Sequence, residues 1–129
     1  MIKKDKHFFE KYSRQMIMDQ VGIEGQDKII KSEICVIGCG GLGTSVAQYL
    51  SMSGISNFNL VDFDSVVISN LNRQTLFTEK DIGKKKSKVL SKKIKEINSL
   101  AEVNYFDEKV TSKNIHNFII TQFLKKINN

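Results

Sequence analysis

The sequence predicts an α/β protein with a Rossmann-like parallel sheet that begins with a βαβ nucleotide-binding half. Two observations lead to this fold class. An apolar run at 34–37, Ile-Cys-Val-Ile, breaks directly into the glycine cluster at 38–43, and a second apolar run at 58–62 ends on Asp62. A short, evenly apolar and β-branched run is typical of a parallel strand that is buried on both faces. A glycine cluster between such a strand and a helix is typical of a nucleotide site.

Each glycine of the G-x-G-x-x-G pattern has its own expected task. Gly38 permits the tight turn off the strand, and Gly43 lets the following helix pack close to that strand. Gly40 and Gly41 let backbone N–H groups approach a phosphate, which the positive N-terminal end of the helix would also favour. Asp62 follows at the spacing expected for a carboxylate that accepts hydrogen bonds from ribose hydroxyls.

The N-terminal residues, 1–33, are predicted to form a helical segment ahead of the sheet. One helix is expected over 8–18, because apolar residues recur there at helical spacing. A second, short helix is expected over 24–31. The expected apolar face of the first helix consists of Phe8, Phe9, Tyr12, Met16 and Ile17. Arg14 and Gln15 are expected to point away from that face.

Later elements are predicted from the same kinds of pattern. Gly54 is expected to end the helix at 41–53 as a left-handed C-terminal cap. Residues 63–83 are long and polar for a connection, and such stretches in compact domains are usually functional. The remaining elements are, in order, an amphipathic helix over 84–98, a strand over 102–110, and a last helix that is capped by Thr111 or Ser112 and carries Ile115, Phe118, Ile119 and Phe123.

Composition favours one soluble domain, since 129 residues with 40% hydrophobic side chains can bury one core. The net charge of +6 is concentrated between Lys84 and Lys95 without interleaved aromatic residues. That pattern favours a solvated lysine face over a nucleic-acid surface. No apolar run reaches the roughly 18 residues that cross a bilayer, and the first residues lack a signal-peptide pattern, so a cytoplasmic protein that does not enter the membrane is expected.

The sulfur-containing residues and the two histidines are assigned packing or surface positions. Cys35 and Cys39 have neither disulfide nor metal-clip spacing, so no metal site is predicted from them. His7 and His116 have no neighbouring ligands or nucleophiles in the sequence. Met16, Met18 and Met52 are expected to fill the core.

Four separated motifs carry a family resemblance. They are Arg14 in Tyr-Ser-Arg-Gln, Asp62-Phe63-Asp64, Ser69-Asn70-Leu71-Asn72-Arg73-Gln74, and Asp81-Ile82-Gly83-Lys84-Lys85-Lys86. In this order they resemble the ThiF/MoeB/HesA family of ubiquitin-activating-like adenylyltransferases, especially its molybdopterin-synthase branch, with the thiamine-pathway branch as a near neighbour. The resemblance implies an enzyme that joins AMP from ATP to the C-terminal carboxylate of a small ubiquitin-fold sulfur-carrier protein.

The resemblance also implies roles for individual residues. Asn70, Arg73 and Lys86 match nucleotide and phosphate contacts of the family, with Arg73 suited to a forked double contact and Lys86 to a point charge. Arg14 matches an arginine that reaches the phosphates of the other subunit across a homodimer. Arg14, Arg73 and Lys86 are therefore the expected catalytic residues.

Two further nucleotide-site residues and two small ligands complete what the resemblance implies. Asp64 is expected to support the loop after the second strand, and Gln74 to add a nucleotide contact. The ligands are ATP and Mg²⁺, but the family's aspartate motif for Mg²⁺ would lie beyond Asn129. Residues 34–129 are accordingly expected to form a partial ATP-binding Rossmann-like domain, with the C-terminal half of the family fold missing.

Two alternative functions remain at this point. The glycine cluster and Asp62 satisfy the fingerprint of an NAD-dependent oxidoreductase equally well. Two features argue against hydride transfer: the loop from Asn70 to Gln74, and Lys86. Hydride transfer does not require a cluster of phosphate-directed cations beyond those that bind the pyrophosphate. A non-catalytic nucleotide-binding fragment is the other alternative.

Overall fold

A three-stranded parallel sheet forms the centre of the computed structural model, which describes residues 3–119. The strands are β1 (Glu33–Ile37), β2 (Asn57–Val61) and β3 (Glu102–Phe106), and they lie in the order β1-β2-β3. Each neighbouring pair is parallel, in a register that places Val36 opposite Leu60 and Leu60 opposite Tyr105. The predicted βαβ unit is confirmed, and β1 forms one edge of the described sheet.

Helices flank the strands as the sequence predicts. They are α1 (Lys6–Met16), α2 (Gly22–Lys31), α3 (Gly41–Ser53) and α4 (Lys86–Ile97), followed by a helical stretch at 115–119. α3 connects β1 to β2, α4 connects β2 to β3, and the two helices pack against each other. Both therefore lie on the same face of the sheet.

The long connection between β2 and α4 is anchored in the core. Val66 and Phe77 from this connection are buried beside Leu60 and Leu90. Two short 3₁₀ turns, Ile68–Asn70 and Glu79–Asp81, give the connection local structure. Apolar burial of this kind fixes the position of the polar residues between the anchors, because moving them would expose the anchors to water.

The N-terminal helices attach to the end of α3. Gln15 Nε2 donates to Gln26 Oε1 and to the carbonyl of Ser53, and Gln26 Nε2 donates to that same carbonyl, each at 2.9 Å. Gln15 therefore bonds to α2 and to the end of α3, and the expectation that its side chain is free to point away is wrong. Gly54 ends α3 at a φ of +112°, as the predicted left-handed cap.

Several predicted boundaries and burial patterns differ from the structure. β1 is not buried on both faces, because Ile37 is half exposed at the sheet edge. β3 ends at Phe106 rather than residue 110, and the next residue, Asp107, pairs with Lys85 at 3.1 Å. α4 begins at Lys86 rather than 84, because Lys85 forms an antiparallel bridge with Ser65.

Some side chains also lie outside their predicted positions. The exposed residues that the sequence places on an apolar face or in the core are Phe9, Ile17, Met18 and Met52. The last helix begins at residue 115, after a turn in which the Asn114 side chain accepts from the Thr111 N–H at 2.7 Å and donates to the Lys109 carbonyl. Phe123, which the sequence predicts in this helix, lies outside the described residues. Within residues 3–119 no helix is long and apolar enough to cross a membrane.

We predict that Gly43→Ala abolishes cooperative folding whereas Gly40→Ala does not. A Cβ at Gly43 would overlap the carbonyl oxygen of Gly38 and stand 2.9 Å from its carbonyl carbon, so α3 would have to move away from the turn. A Cβ at Gly40 would meet only Gln74 Nε2, at 3.9 Å. Urea unfolding followed by circular dichroism should show a lost transition for the first variant and a change within about 1 kcal/mol for the second. Equal stability of the two variants would contradict the close helix-to-turn packing.

Candidate functional site

The candidate site begins at the glycine turn between β1 and α3. Gly38 has a φ of +92°, which an L side chain rarely adopts. A Cβ built there would meet no atom within 4 Å, and the position at Gly40 is nearly as open. Thr44, which is fully buried, donates its hydroxyl to the Gly40 carbonyl at 2.6 Å and so fixes the start of α3. The turn is thus an ordered backbone cradle with empty space above it.

Asp62 ties this turn to the strand beside it. Its Oδ2 accepts the N–H of Cys39, and its Oδ1 accepts the N–H of Asp64, both at 2.7 Å. Asp62 is itself nearly buried at the end of β2. A carboxylate offers about four lone-pair positions, so two remain for a ligand after these two backbone contacts.

Lys86 lies next to Asp64 at the start of α4. Its Nζ stands 3.6 Å from Asp64 Oδ2, and its backbone N–H donates to the Asp64 carbonyl at 3.0 Å. The Lys86 side chain is only 8% exposed, compared with 58% for Lys84. Burial thus separates Lys86 from the neighbouring lysines, in agreement with its place three residues after Gly83.

Asn70, Arg73 and Gln74 come from the connection that passes over the glycine turn. Asn70 Oδ1 accepts the Val67 N–H at 3.1 Å, which holds the first 3₁₀ turn in place. The aliphatic stem of Arg73 lies 3.8 Å from the Cβ position of Gly41. Its guanidinium donates to the Ser69 carbonyl and to Asn72, both at 2.9 Å, and so is folded back on its own loop.

Gln74 contributes an unpaired polar atom to this region. The residue is almost fully buried near Gly40, and its Oε1 has no hydrogen-bond partner. A buried carbonyl without a donor costs roughly 1–3 kcal/mol. A ligand or water that donates to Gln74 Oε1 would recover that cost.

Arg14 is the one predicted site residue that the structure keeps away from the others. It is exposed on α1, next to Gln15, which is bonded to the far end of α3. α3 has 13 residues and starts at the glycine turn. At a rise of about 1.5 Å per residue the two ends lie roughly 20 Å apart, so Arg14 does not belong to the glycine turn of its own chain.

A groove of about 590 Å³ runs along the free edge of β1 to the glycine turn. Its walls include the strand itself and the first turn of α3, with Leu42 and Val46 on the helix side. The backbone of β1 faces this groove because β1 has only one neighbouring strand in the described part of the chain. The glycine turn is therefore accessible from the sheet edge.

Sequence reasoning missed three contributions to the site. Cys39 acts through its backbone N–H rather than its thiol, and Thr44 and Ser45 brace the carbonyls of Gly40 and Gly41. Hydroxyl residues three or four positions after a helix start often donate to the preceding turn, which was the available signal for Thr44 and Ser45. No sequence pattern marks the backbone role of Cys39.

The described residues do not by themselves form a magnesium site. Within residues 3–119 no group of three or more His, Cys, Asp and Glu side chains stands close enough to hold a metal ion. Asp62 is engaged by two backbone N–H groups, and Asp64 faces the Lys86 ammonium. These contacts leave no set of free carboxylates of the kind that Mg²⁺ prefers.

Comparison with known proteins identifies the same family as the sequence motifs do. Residues 12–126 match the ThiF family. A sulfur carrier protein adenylyltransferase of Thermus thermophilus is 40% identical over 109 residues, which cover 84% of this chain and 40% of that relative. The chain therefore spans less than half the length of this relative.

Two solved structures from Escherichia coli are similar in fold. The tRNA N6-threonylcarbamoyladenosine dehydratase TcdA, in complex with AMP, has a TM-score of 0.84 and 26% identity over 94% of this chain and 48% of TcdA. MccB with ATP has a TM-score of 0.69 and 34% identity over 71% of this chain and 28% of MccB. The predicted Rossmann-like fold class is confirmed.

We predict that the Cys39 thiol makes folding stability fall at alkaline pH. Burial, and next the charge of Asp62, raises the pKa of this thiol from 9.0 to about 12, although Lys86 partly opposes the shift. Because the thiol has a higher pKa in the folded state than in the unfolded state, its contribution to the free energy of unfolding is fully present below pH 9. That contribution is lost as the pH rises from 9 toward 12. Urea unfolding of the wild type and Cys39→Ala at pH 7.5 and 10.5 should show that the wild type loses more stability. The same pH dependence in both proteins would refute a role for this thiol.

Proposed function

Since the chain belongs to the ThiF family, we propose that it binds ATP at the glycine turn and serves in adenylylation of a small ubiquitin-fold sulfur-carrier protein. One observation carries the proposal. The open backbone cradle at Gly38 and Gly40 is joined through Asp62 and Asp64 to the ammonium of Lys86. The turn proposed to bind the phosphates, the carboxylate proposed to accept from ribose, and the buried ammonium thus belong to one connected group.

This arrangement fits a reaction that needs positioning more than a protein nucleophile. The carboxylate at the carrier's C-terminus would attack the α-phosphorus of ATP, a new C–O–P bond would form, and pyrophosphate would leave. No covalent intermediate with the protein is required, so the contributions are alignment and charge neutralisation. In the proposal Gly40 and Gly41 present N–H groups to phosphate, and Arg73 and Lys86 balance its charge.

The nucleoside half of ATP has its own proposed partners. Asp62 would accept from the ribose hydroxyls through the lone pairs that Cys39 and Asp64 leave free. Asn70 and Gln74 would add contacts from the connection above the turn. The buried, unpaired Oε1 of Gln74 supports this assignment because a donor on the ligand would satisfy it.

Arg14 is proposed to act in a second subunit. Its position near the far end of α3 keeps it away from the glycine turn of its own chain. In the proposal, Arg14 therefore contacts the phosphates bound at the glycine turn of the other subunit of a homodimer. A guanidinium suits this task because it stays charged and contacts phosphate with a fork of donors. The proposed pathway is molybdopterin or thiamine biosynthesis in the cytoplasm, where ATP and a sulfur carrier would both be present.

We predict that the chain binds ATP more tightly than NAD and that Arg73→Ala weakens ATP binding. A lost charge-assisted contact costs roughly 1.5–3 kcal/mol, which corresponds to about a 10- to 150-fold higher Kd. Isothermal titration of the wild type, Arg73→Ala and the control Lys28→Ala measures this change. Lys28 is exposed on α2, so its loss should leave ATP affinity unchanged. Tighter binding of NAD than of ATP would refute the adenylyltransferase assignment.

We also predict that Arg14→Ala and Lys86→Ala complement each other. Each variant alone should lose carrier-dependent exchange of labelled pyrophosphate into ATP. When the two variants are mixed in equal amounts and exchange subunits, half of the dimers contain one copy of each variant. One of the two sites in each mixed dimer is complete, so about a quarter of wild-type exchange should return. If exchange occurs in the wild type but does not return in the mixture, Arg14 does not act across subunits.

A further inference from the structure

A second cavity, of about 510 Å³, is lined by residues of α4 and of the segment 81–85 that leads into this helix. It shares no lining residue with the groove at the glycine turn, and Asp62, Asp64 and Lys86 do not line it. Val89, which is buried, is among its apolar lining residues. We refer to this space as the lysine cavity. Its charged lining residues are five lysines and two carboxylates: Lys84, Lys85, Lys88, Lys92, Lys93, Asp81 and Glu96.

Both carboxylates of the lysine cavity already have partners. Asp81 accepts hydrogen bonds from the Thr78 N–H at 2.9 Å and from the Thr78 hydroxyl at 3.0 Å, and its side chain is only 11% exposed. The Glu96 carboxylate stands 3.8 Å from Lys93 Nζ and is 69% exposed, so water screens its charge. The formal charge of the lining, five cations less two carboxylates, is +3.

Most of the ammonium groups of the cavity are weakly paired or unpaired. Lys88 and Lys92 are exposed, and in the described residues 3–119 no carboxylate lies within 4.0 Å of either ammonium. Lys84 Nζ stands 3.6 Å from Asp81, and an exposed pair at this distance contributes little. Lys85 differs, because its ammonium donates at 3.0 Å to a backbone carbonyl after β2 and pairs at 3.1 Å with a carboxylate after β3. Lys84, Lys88 and Lys92 therefore remain available to an anion.

The positions of these lysines are unfavourable for the helix unless an anion lies near them. Lys88 and Lys92 are four residues apart, and like charges at this spacing destabilise a helix. Lys86 and Lys88 lie in the first turn of α4, close to its positive end, and that turn carries no acidic residue. Lys84 adds a further ammonium four residues before Lys88. An anion between these ammonium groups would relieve their repulsion.

The size and the lining of the cavity indicate the class of anion. A volume of about 510 Å³ lies within the range of small-molecule sites. None of its lining residues is aromatic, so it lacks the stacking platforms that hold single-stranded nucleic acids. Lysine binds phosphate as a point charge, and three lysines at intervals of four residues can each contact a different phosphate of a short chain.

We propose that the lysine cavity binds a small anion with two or more linked phosphate groups, such as an inorganic polyphosphate. The ammonium groups of Lys84, Lys88 and Lys92 contact its outer oxygen atoms, and Lys93 adds a cation at the side of the cavity. This site is separate from the glycine turn. It goes beyond the proposed function and does not rest on it.

The first test titrates ¹⁵N-labelled protein with sodium tripolyphosphate and follows the amide resonances by NMR. The signals of Gly83 and Val89 report on the lysine cavity, and those of Gly40 and Gly41 report on the glycine turn. Gly83 and Val89 should shift with a submillimolar Kd at low ionic strength, and added salt should weaken this binding because the ammonium groups are exposed. Shifts that are absent at Gly83 and Val89, or confined to Gly40 and Gly41, would overturn the proposal. Citrate that binds more tightly than tripolyphosphate would overturn the assignment to a phosphate ligand.

The second test separates a site from a general effect of net charge. The double variant Lys88→Gln/Lys92→Gln should raise the Kd measured at Gly83 at least about 10-fold. Its matched control is Lys28→Gln/Lys31→Gln on α2, which also removes two exposed ammonium groups and should change that Kd by less than about 2-fold.

The two double variants also decide between the competing explanations. Urea unfolding should show both folded, because all four positions are exposed. An equal loss of tripolyphosphate affinity in both would mean that net charge alone attracts the anion, and would refute the site. If ATP does not bind at the glycine turn but tripolyphosphate still shifts Gly83 and Val89, the proposed function fails and this inference stands.

Discussion

The two hydrogen bonds of the Asp62 carboxylate are the contacts on which the site depends. One oxygen holds the glycine turn through Cys39 and the other holds the connection through Asp64. Hydrogen bonds to a charged group contribute roughly 1.5–3 kcal/mol each, and these two lie in a nearly buried position where water competes little. Asp64 in turn positions Lys86. The end of β2 therefore connects the turn after β1 with the start of α4, elements that are far apart in the sequence.

The requirement for close packing at the glycine turn also explains the surface of α3. Gly43 must stand against Gly38, so α3 approaches β1 too closely for large side chains on its inner face. Ala47 and Ser51 continue that small face along the helix. The apolar residues of α3 are consequently displaced to the outside, where they are buried only if another surface covers them. A constraint at the glycine turn thus determines a surface on the opposite side of the helix.

Local patterns in the sequence were sufficient to predict the strand, turn and helix around the glycines, and the cap at Gly54. These features depend on a few adjacent residues and on the conformations that only glycine adopts readily. Burial of particular residues was not predictable in the same way. Ile37 reads as a buried strand residue but lies at a sheet edge, because burial on both faces needs a neighbouring strand. Lys86 is the same residue type as Lys84, and in the sequence only its place three residues after Gly83 distinguishes it. Its burial depends on contacts with Asp64, a residue 22 positions earlier, and no local pattern predicts that.

The cations of the site are already paired in the structure, and this affects how an anion could bind. Lys86 faces Asp64, and Arg73 donates to the Ser69 carbonyl and to Asn72. Release of Arg73 costs little, because its contacts are solvent-exposed and involve neutral acceptors. Release of Lys86 costs more, since its side chain is buried and its ammonium would lose Asp64 where little water can replace it. Under the proposed function, an incoming triphosphate would draw Arg73 out of its loop while Lys86 stays near Asp64. Arg73 would then supply the movement, and Lys86 the fixed charge against which the phosphates are positioned.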